Sequence, residues 1–204
     1  MQLDKKIINK ALNLLAEKIN NNNLTCRICI YGGGAMLHLG GMRNKTNDID
    51  FHVLNLERVN KAYDFEETEI QTLRRLINEV AEELNLNSDW MNDGVKGFIA
   101  EHETFSEEVS YGDGSLSVVY PSIEYLLAMK CVAMRNSDDS LHDKEDIKKL
   151  LHILAINDYN KIYDIIELYY PVELIQPKTM YGIEEIIEKI KLENNLEDLV
   201  TPSI

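Results

Sequence analysis

Cysteine is scarce in this sequence. Three cysteines among 204 residues are too few, and odd in number, for a disulfide framework. Cys26 and Cys29 fall inside an apolar strand pattern with no second Cys or His pair downstream, so they read as structural thiols rather than metal ligands. Long apolar runs are also missing. No stretch approaches the roughly 20 residues that a membrane-spanning helix needs, which predicts a soluble chain with no membrane partner. The opening residues, MQLDKKIINKAL, are charged and helical in pattern, without an apolar block and small-residue cleavage site, so a cytoplasmic location is expected. Basic charge is deficient as well: 21 Lys and Arg stand against 35 Asp and Glu, a net charge of -14. That balance argues against a broad, nonspecific nucleic-acid surface. It leaves room for a local patch from Arg43, Lys45, Lys144, Lys148 and Lys149. Internal repeats are absent, and apart from a short Asn run at 20–23 there is no low-complexity tract.

What is present is an ordinary globular composition, 45% apolar and 27% charged, in a chain long enough to bury a core unaided. Apolar residues at helical spacing predict a helix over 4–20, stopped by the Asn run. The run 26–31 reads as a buried strand entering the triplet Gly32-Gly33-Gly34, and a short helical segment follows over 35–39, ended by Gly40 and Gly41. Residues 48–54, DIDFHVL, alternate: Ile49, Phe51 and Val53 share one side, Asp48, Asp50 and His52 the other. An amphipathic helix is predicted over 66–86, and further strands over 97–100 and 116–120 with an exposed acidic loop between them. After Pro121 every strong pattern is helical. Ser122 is the expected N-cap of a helix over 123–135 and Asp143 that of a helix over 144–156, with two more over about 159–169 and 182–193. The composition thus predicts an α+β unit over 1–121, a small mixed sheet flanked by helices, and a helical bundle over 122–204.

Two features carry chemistry. A strand-to-helix turn made of three glycines exposes backbone N–H groups at a helix start, where phosphate oxygens bind and side chains would obstruct approach. Asp48 and Asp50, two apart on a strand, place their Cα atoms about 6.5 to 7 Å apart on one face, a spacing that suits shared cations. Two like charges held so close repel unless a metal neutralises them, and paired Mg²⁺ ions are a recurring clamp in phosphoryl transfer. The plain alternatives are a glycine turn with no ligand and a solvated strand face.

The segment Tyr31 to Val53, YGGGAMLHLGGMRNKTNDIDFHV, resembles the signature of the polymerase-β-type nucleotidyltransferase superfamily, a glycine turn opening a helix followed by an Asp-x-Asp strand. The arrangement of Arg43, Thr46, Asp48 and Asp50 most resembles the AbiEii-like and MenT-like branch of abortive-infection and toxin-antitoxin proteins. Ser122 to Leu151, SIEYLLAMKCVAMR with HDKEDIKKLL, is similar to the helical segment where that branch carries a Lys and then an Asp-x-x-Asp-Ile helix start. The resemblance implies a nucleotidyltransferase fold and an Mg²⁺-dependent or Mn²⁺-dependent enzyme that moves a nucleoside monophosphate from a nucleoside triphosphate to an RNA (a tRNA end, for instance), a protein or a small molecule. A role in phage defence is implied too, with a companion toxin or antitoxin.

By the same resemblance Asp48 and Asp50 are catalytic and metal-binding. Gly32, Gly33, Gly34, Arg43, Thr46 and Lys130 bind the nucleotide, Asp143 or Asp146 helps orient the site, and Arg135 is a second phosphate contact. Plain roles stand beside these: Lys130 as a snorkelling or partly buried lysine, Asp143 as a helix cap, Asp146 paired with Lys149. Members of the superfamily usually add a third carboxylate from a later strand, and LSVVY at 116–120 has none; Asp113 and Asp93 are the substitutes. Without that acid, the alternative is a noncatalytic, antitoxin-like interaction partner on the same fold. His52 shares the carboxylate face, whereas the other histidines show no ligand spacing. Trp90 is expected in the core.

Overall fold

The computed structural model describes residues 2–39, 42–59, 68–134 and 140–200. The expectations for Gly40, Gly41 and Arg135 lie outside the described residues, as does the start of the helix predicted from 66. The chain divides into two compact units, Met1–Gly97 with Phe105–Pro121, and Phe98–Thr104 with Ser122–Ile204.

The first unit is α+β, a five-stranded mixed sheet flanked by helices. Helix α1, Lys5–Asn21, starts where the Asp4 carboxylate accepts the Ile7 N–H at 2.8 Å. It buries Leu12, Leu15 and Ile19. Strand β1, Leu24–Ile30, runs into helix α2, Gly32–His38, which begins at the glycines rather than after them. Strand β2, Ile49–Arg58, is followed by helix α3, Glu69–Leu84, opened by a reciprocal Thr68 and Gln71 capping box. Next come the two-residue strand β3, Met91–Asn92, and the hairpin of β4, Phe105–Tyr111, with β5, Leu116–Pro121. The sheet order is β3-β2-β1-β5-β4. β1 is antiparallel to β2 and parallel to β5; β3 is parallel to β2 and β4 antiparallel to β5.

Two expectations about strands are corrected. The run 97–100 is no strand: Gly94–Phe98 is a 3-10 turn, and the residues after it belong to the second unit. The acidic stretch expected as a loop contains β4, whose side chains up to Ser110 are mostly exposed. An edge strand solvated on its outer side needs no apolar alternation, and the charges of Glu107 and Glu108 also deter pairing with other chains.

In the second unit, helix α4, Ile123–Val132, is capped by Ser122, whose Oγ accepts the Tyr125 N–H at 3.1 Å. Six of its residues, Tyr125 to Met129 and Cys131, are buried, because α5 (Ser140–Ile153), α6 (Tyr159–Tyr169) and α7 (Pro177–Val200) all pack on it. Residues 98–104 are tied to the same unit: Tyr125 Oη accepts the Ala100 N–H at 2.9 Å, and Tyr170 Oη donates to the Phe98 carbonyl at 2.5 Å. Because α5 begins at Ser140, Asp143 lies within its first turn and is not its N-cap. Among the described residues no helix is long and apolar enough to cross a membrane.

Candidate functional site

The local geometry starts from glycine. Gly32 has φ +56°, a left-handed conformation that costs a side-chain-bearing residue dearly, and a Cβ there would collide with Oδ2 of Asp50. A Cβ on Gly33 would collide with Oγ1 of Thr46 and stand 3.1 Å from the Arg43 guanidinium. One on Gly34 would come within 2.8 Å of Ile30 Cγ2. The triplet therefore does two jobs. Gly34 lets α2 pack against β1, while Gly32 and Gly33 let the turn lie directly on the side chains of Asp50, Thr46 and Arg43. A helix's first N–H groups have no carbonyl four residues back to pair with, so the turn presents backbone donors beside that cluster. α2 has only seven residues, so its dipole adds little.

Backbone pairing fixes the carboxylates. The Tyr31 N–H donates to the Asp50 carbonyl at 2.9 Å, and the Ile49 N–H to the Trp90 carbonyl at 2.7 Å, which locks β2 between β1 and β3. Ile49 and Phe51 are buried on one face, leaving Asp48 and Asp50 half-buried on the other. Thr46 is buried; its hydroxyl donates to the Asp48 carbonyl at 3.0 Å, and its backbone exchanges two hydrogen bonds with Leu3, at 2.7 and 2.9 Å. The loop carrying Arg43 and Thr46 is thus pinned at its far end. On the other side, Asn92 Nδ2 donates to Asp48 Oδ2 at 3.1 Å. The sequence signal for Asn92 is slight, only its place in WMNDG next to Asp93.

The acids named as substitutes have other partners or places. Asp93 faces Lys96 at 2.5 Å and Arg74 at 3.6 Å, and these cations, Lys96 first, hold its carboxyl below the usual range. Asp113 sits in the β4–β5 hairpin turn and borders a shallow surface hollow with Asn13 and Glu17. Among the described residues no three His, Cys, Asp or Glu side chains cluster as a metal site.

A cavity of about 380 Å³ adjoins Asn92. Phe51, His52 and Val53 all border it. Consecutive strand residues alternate faces, so the cavity lies along the strand's edge, where β3 has ended after pairing only Ile49 and Asp50. Leu73 and Ile77 of α3 form its apolar wall, and Nδ1 of His52 is buried without a hydrogen-bond partner. Trp90 is core, its Nε1 donating to the Ile77 carbonyl at 3.1 Å.

Lys130, Asp143 and Asp146 are brought together in the second unit. Lys130 Nζ is 2.8 Å from Asp146 and 3.9 Å from Asp143, with the three side chains only 13%, 2% and 8% exposed respectively. Asp146 therefore pairs with Lys130, and Lys130 is a partly buried, neutralised cation. Compared with known proteins, the chain matches no family model, no curated protein and no solved structure.

Proposed function

We propose that the first unit is the catalytic centre of a nucleotidyltransferase that transfers a nucleoside monophosphate from a nucleoside triphosphate to an acceptor hydroxyl. One observation carries this reading: a glycine turn that a single Cβ would block lies on Asp50, with Thr46 and Arg43 on its next residue and Asp48 two positions away. The resemblance of Tyr31 to Val53 to the polymerase-β-type superfamily supports the same reading. The donor set fits Mg²⁺, a hard cation that takes oxygen ligands from one or two carboxylates and completes its shell with water and phosphate oxygens. Asp48 and Asp50 would hold it, and when bound it would neutralise charge on the α-phosphate and on the departing pyrophosphate.

The chain's own groups do the rest. Backbone N–H groups of Gly32 to Gly34 and the Arg43 guanidinium orient the triphosphate, and Thr46 keeps the Asp48 main chain in place. The acceptor oxygen forms its bond to the α-phosphorus and gives up its proton to solvent, while the bond from that phosphorus to pyrophosphate breaks. Lys130, Asp143 and Asp146 enter this reading only as an internal ion cluster.

A second reading, a noncatalytic partner protein of a toxin-antitoxin pair on the same fold, is favoured by the pairing of Asp93 with Lys96 and Arg74, which withdraws one substitute acid. Incubation with each α-labelled nucleoside triphosphate, Mg²⁺ and fractionated cell RNA, protein and metabolites decides between them. The catalytic reading predicts label transfer that is lost in Asp48→Asn and Asp50→Asn; transfer that survives both substitutions overturns it.

A further inference from the structure

The side chain of Asn92 is held at both ends. Its Oδ1 accepts the Gly94 N–H at 3.0 Å, and its Nδ2 donates to Asp48 Oδ2 at 3.1 Å. The amide has one satisfactory orientation: flipped, it would set an oxygen against a carboxylate and an NH₂ against an N–H. A Cβ on Gly94 would stand 2.9 Å from Oδ1, so the turn is shaped to let the backbone reach this amide. β3 places Asn92 in parallel register with Asp50, on the strand that neighbours the two carboxylates.

We propose that Asn92 is the positioning residue of a two-carboxylate cation site, a neutral amide that holds Asp48 from the neighbouring strand. It occupies one oxygen of Asp48 and leaves the other for a divalent cation, and it adds no third negative charge to the pair. Two carboxylates side by side repel in the absence of metal, and an amide donor relieves that repulsion where a third carboxylate would add to it. The design favours a site that is stable when empty and takes its cation loosely. This inference rests on the reading that Asp48 and Asp50 hold the cation.

Mn²⁺ alone is the probe, titrated into the full chain with the free ion followed by electron paramagnetic resonance, and melting temperature recorded with and without it. Asn92→Ala should weaken Mn²⁺ binding by about 10- to 100-fold, the usual effect of losing a group that orients a ligand. Asn92→Asp should lower the melting temperature of the metal-free protein, then bind Mn²⁺ more tightly than wild type and recover its stability as it does so. A merely structural asparagine would show no such rescue. Wild-type-like Mn²⁺ affinity in both variants overturns the inference while leaving the site reading intact. Absence of Mn²⁺ binding in the wild type, or binding unaffected by Asp48→Asn, overturns both.

Discussion

At the scale of single residues, the candidate site is legible through what glycine permits. Gly32 combines a φ of +56° with contact to the Asp50 carboxylate, so Gly32→Ala is doubly unfavourable. Backbone strain of this kind costs on the order of 1–3 kcal/mol. The expected outcome is a lower urea midpoint together with loss of nucleotide binding; unchanged binding in a folded variant would separate the turn from the site. The three cysteines behave as the sequence suggests. All are buried, and burial pushes the Cys26 thiol up to about 12 and raises Cys131 as well. A thiol reagent at pH 8 should leave the native protein unlabelled and modify all three after unfolding. Lys130 is the residue whose partners no local pattern shows. Its isolation in an apolar helix suggests a snorkelling or partly buried lysine; it is partly buried, and the acids that neutralise it lie 13 and 16 positions ahead on α5. Lys130→Met would leave two buried carboxylates without that cation, at a cost of about 3–5 kcal/mol by chemical denaturation.

At the scale of elements, strong periodicity was enough where a helix has one wet face. α1, α3 and α6 lie close to where their apolar spacing puts them. β1 and β2 were readable for a different reason, since β1 is mostly apolar and buried and the start of its neighbour alternates. β3 and β4 were not readable. β3 is two residues long and β4 is polar, so neither has a period to detect, yet β3 is the strand that brings Asn92 to Asp48. The start of α5 was misplaced because Asp143 resembles a cap, whereas its carboxylate serves Lys130 inside the unit.

The α5–α7 contact carries a pH prediction. Glu185 bonds Lys144 at 2.5 Å and Lys189 at 2.9 Å, and these hydrogen bonds, Lys144 first, pull its pKa from the ordinary 4.5 to about 2. A depressed carboxylate stabilises the fold fully above pH 4.5 and loses that contribution as pH falls toward 2. Glu185 is 45% exposed, so the effect is modest and shrinks in high salt. Urea midpoints measured at pH 6 and pH 3 should fall less for Glu185→Gln than for wild type, and an equal fall would remove Glu185 from the account.

At the scale of the whole molecule, the charge of -14 bears on the acceptor of the proposed reaction. A chain so acidic repels a polyanion except where cations gather locally, so an RNA acceptor would have to bind through a few lysines and arginines. Lys144 and Lys148 each have an acidic neighbour, Glu185 and Glu193, which partly offsets their charge. A flat salt response of acceptor binding would point to a small-molecule or protein acceptor, and a steep one to RNA.

The central claim is that Asp48, Asp50 and the glycine turn form one metal-dependent nucleotide site. Isothermal titration of each nucleoside triphosphate into the full chain, with and without Mg²⁺, tests it most directly. The account predicts binding of at least one triphosphate that requires Mg²⁺ and disappears in Asp48→Asn/Asp50→Asn. Absence of binding for all four, or binding indifferent to both the metal and the double substitution, would contradict it.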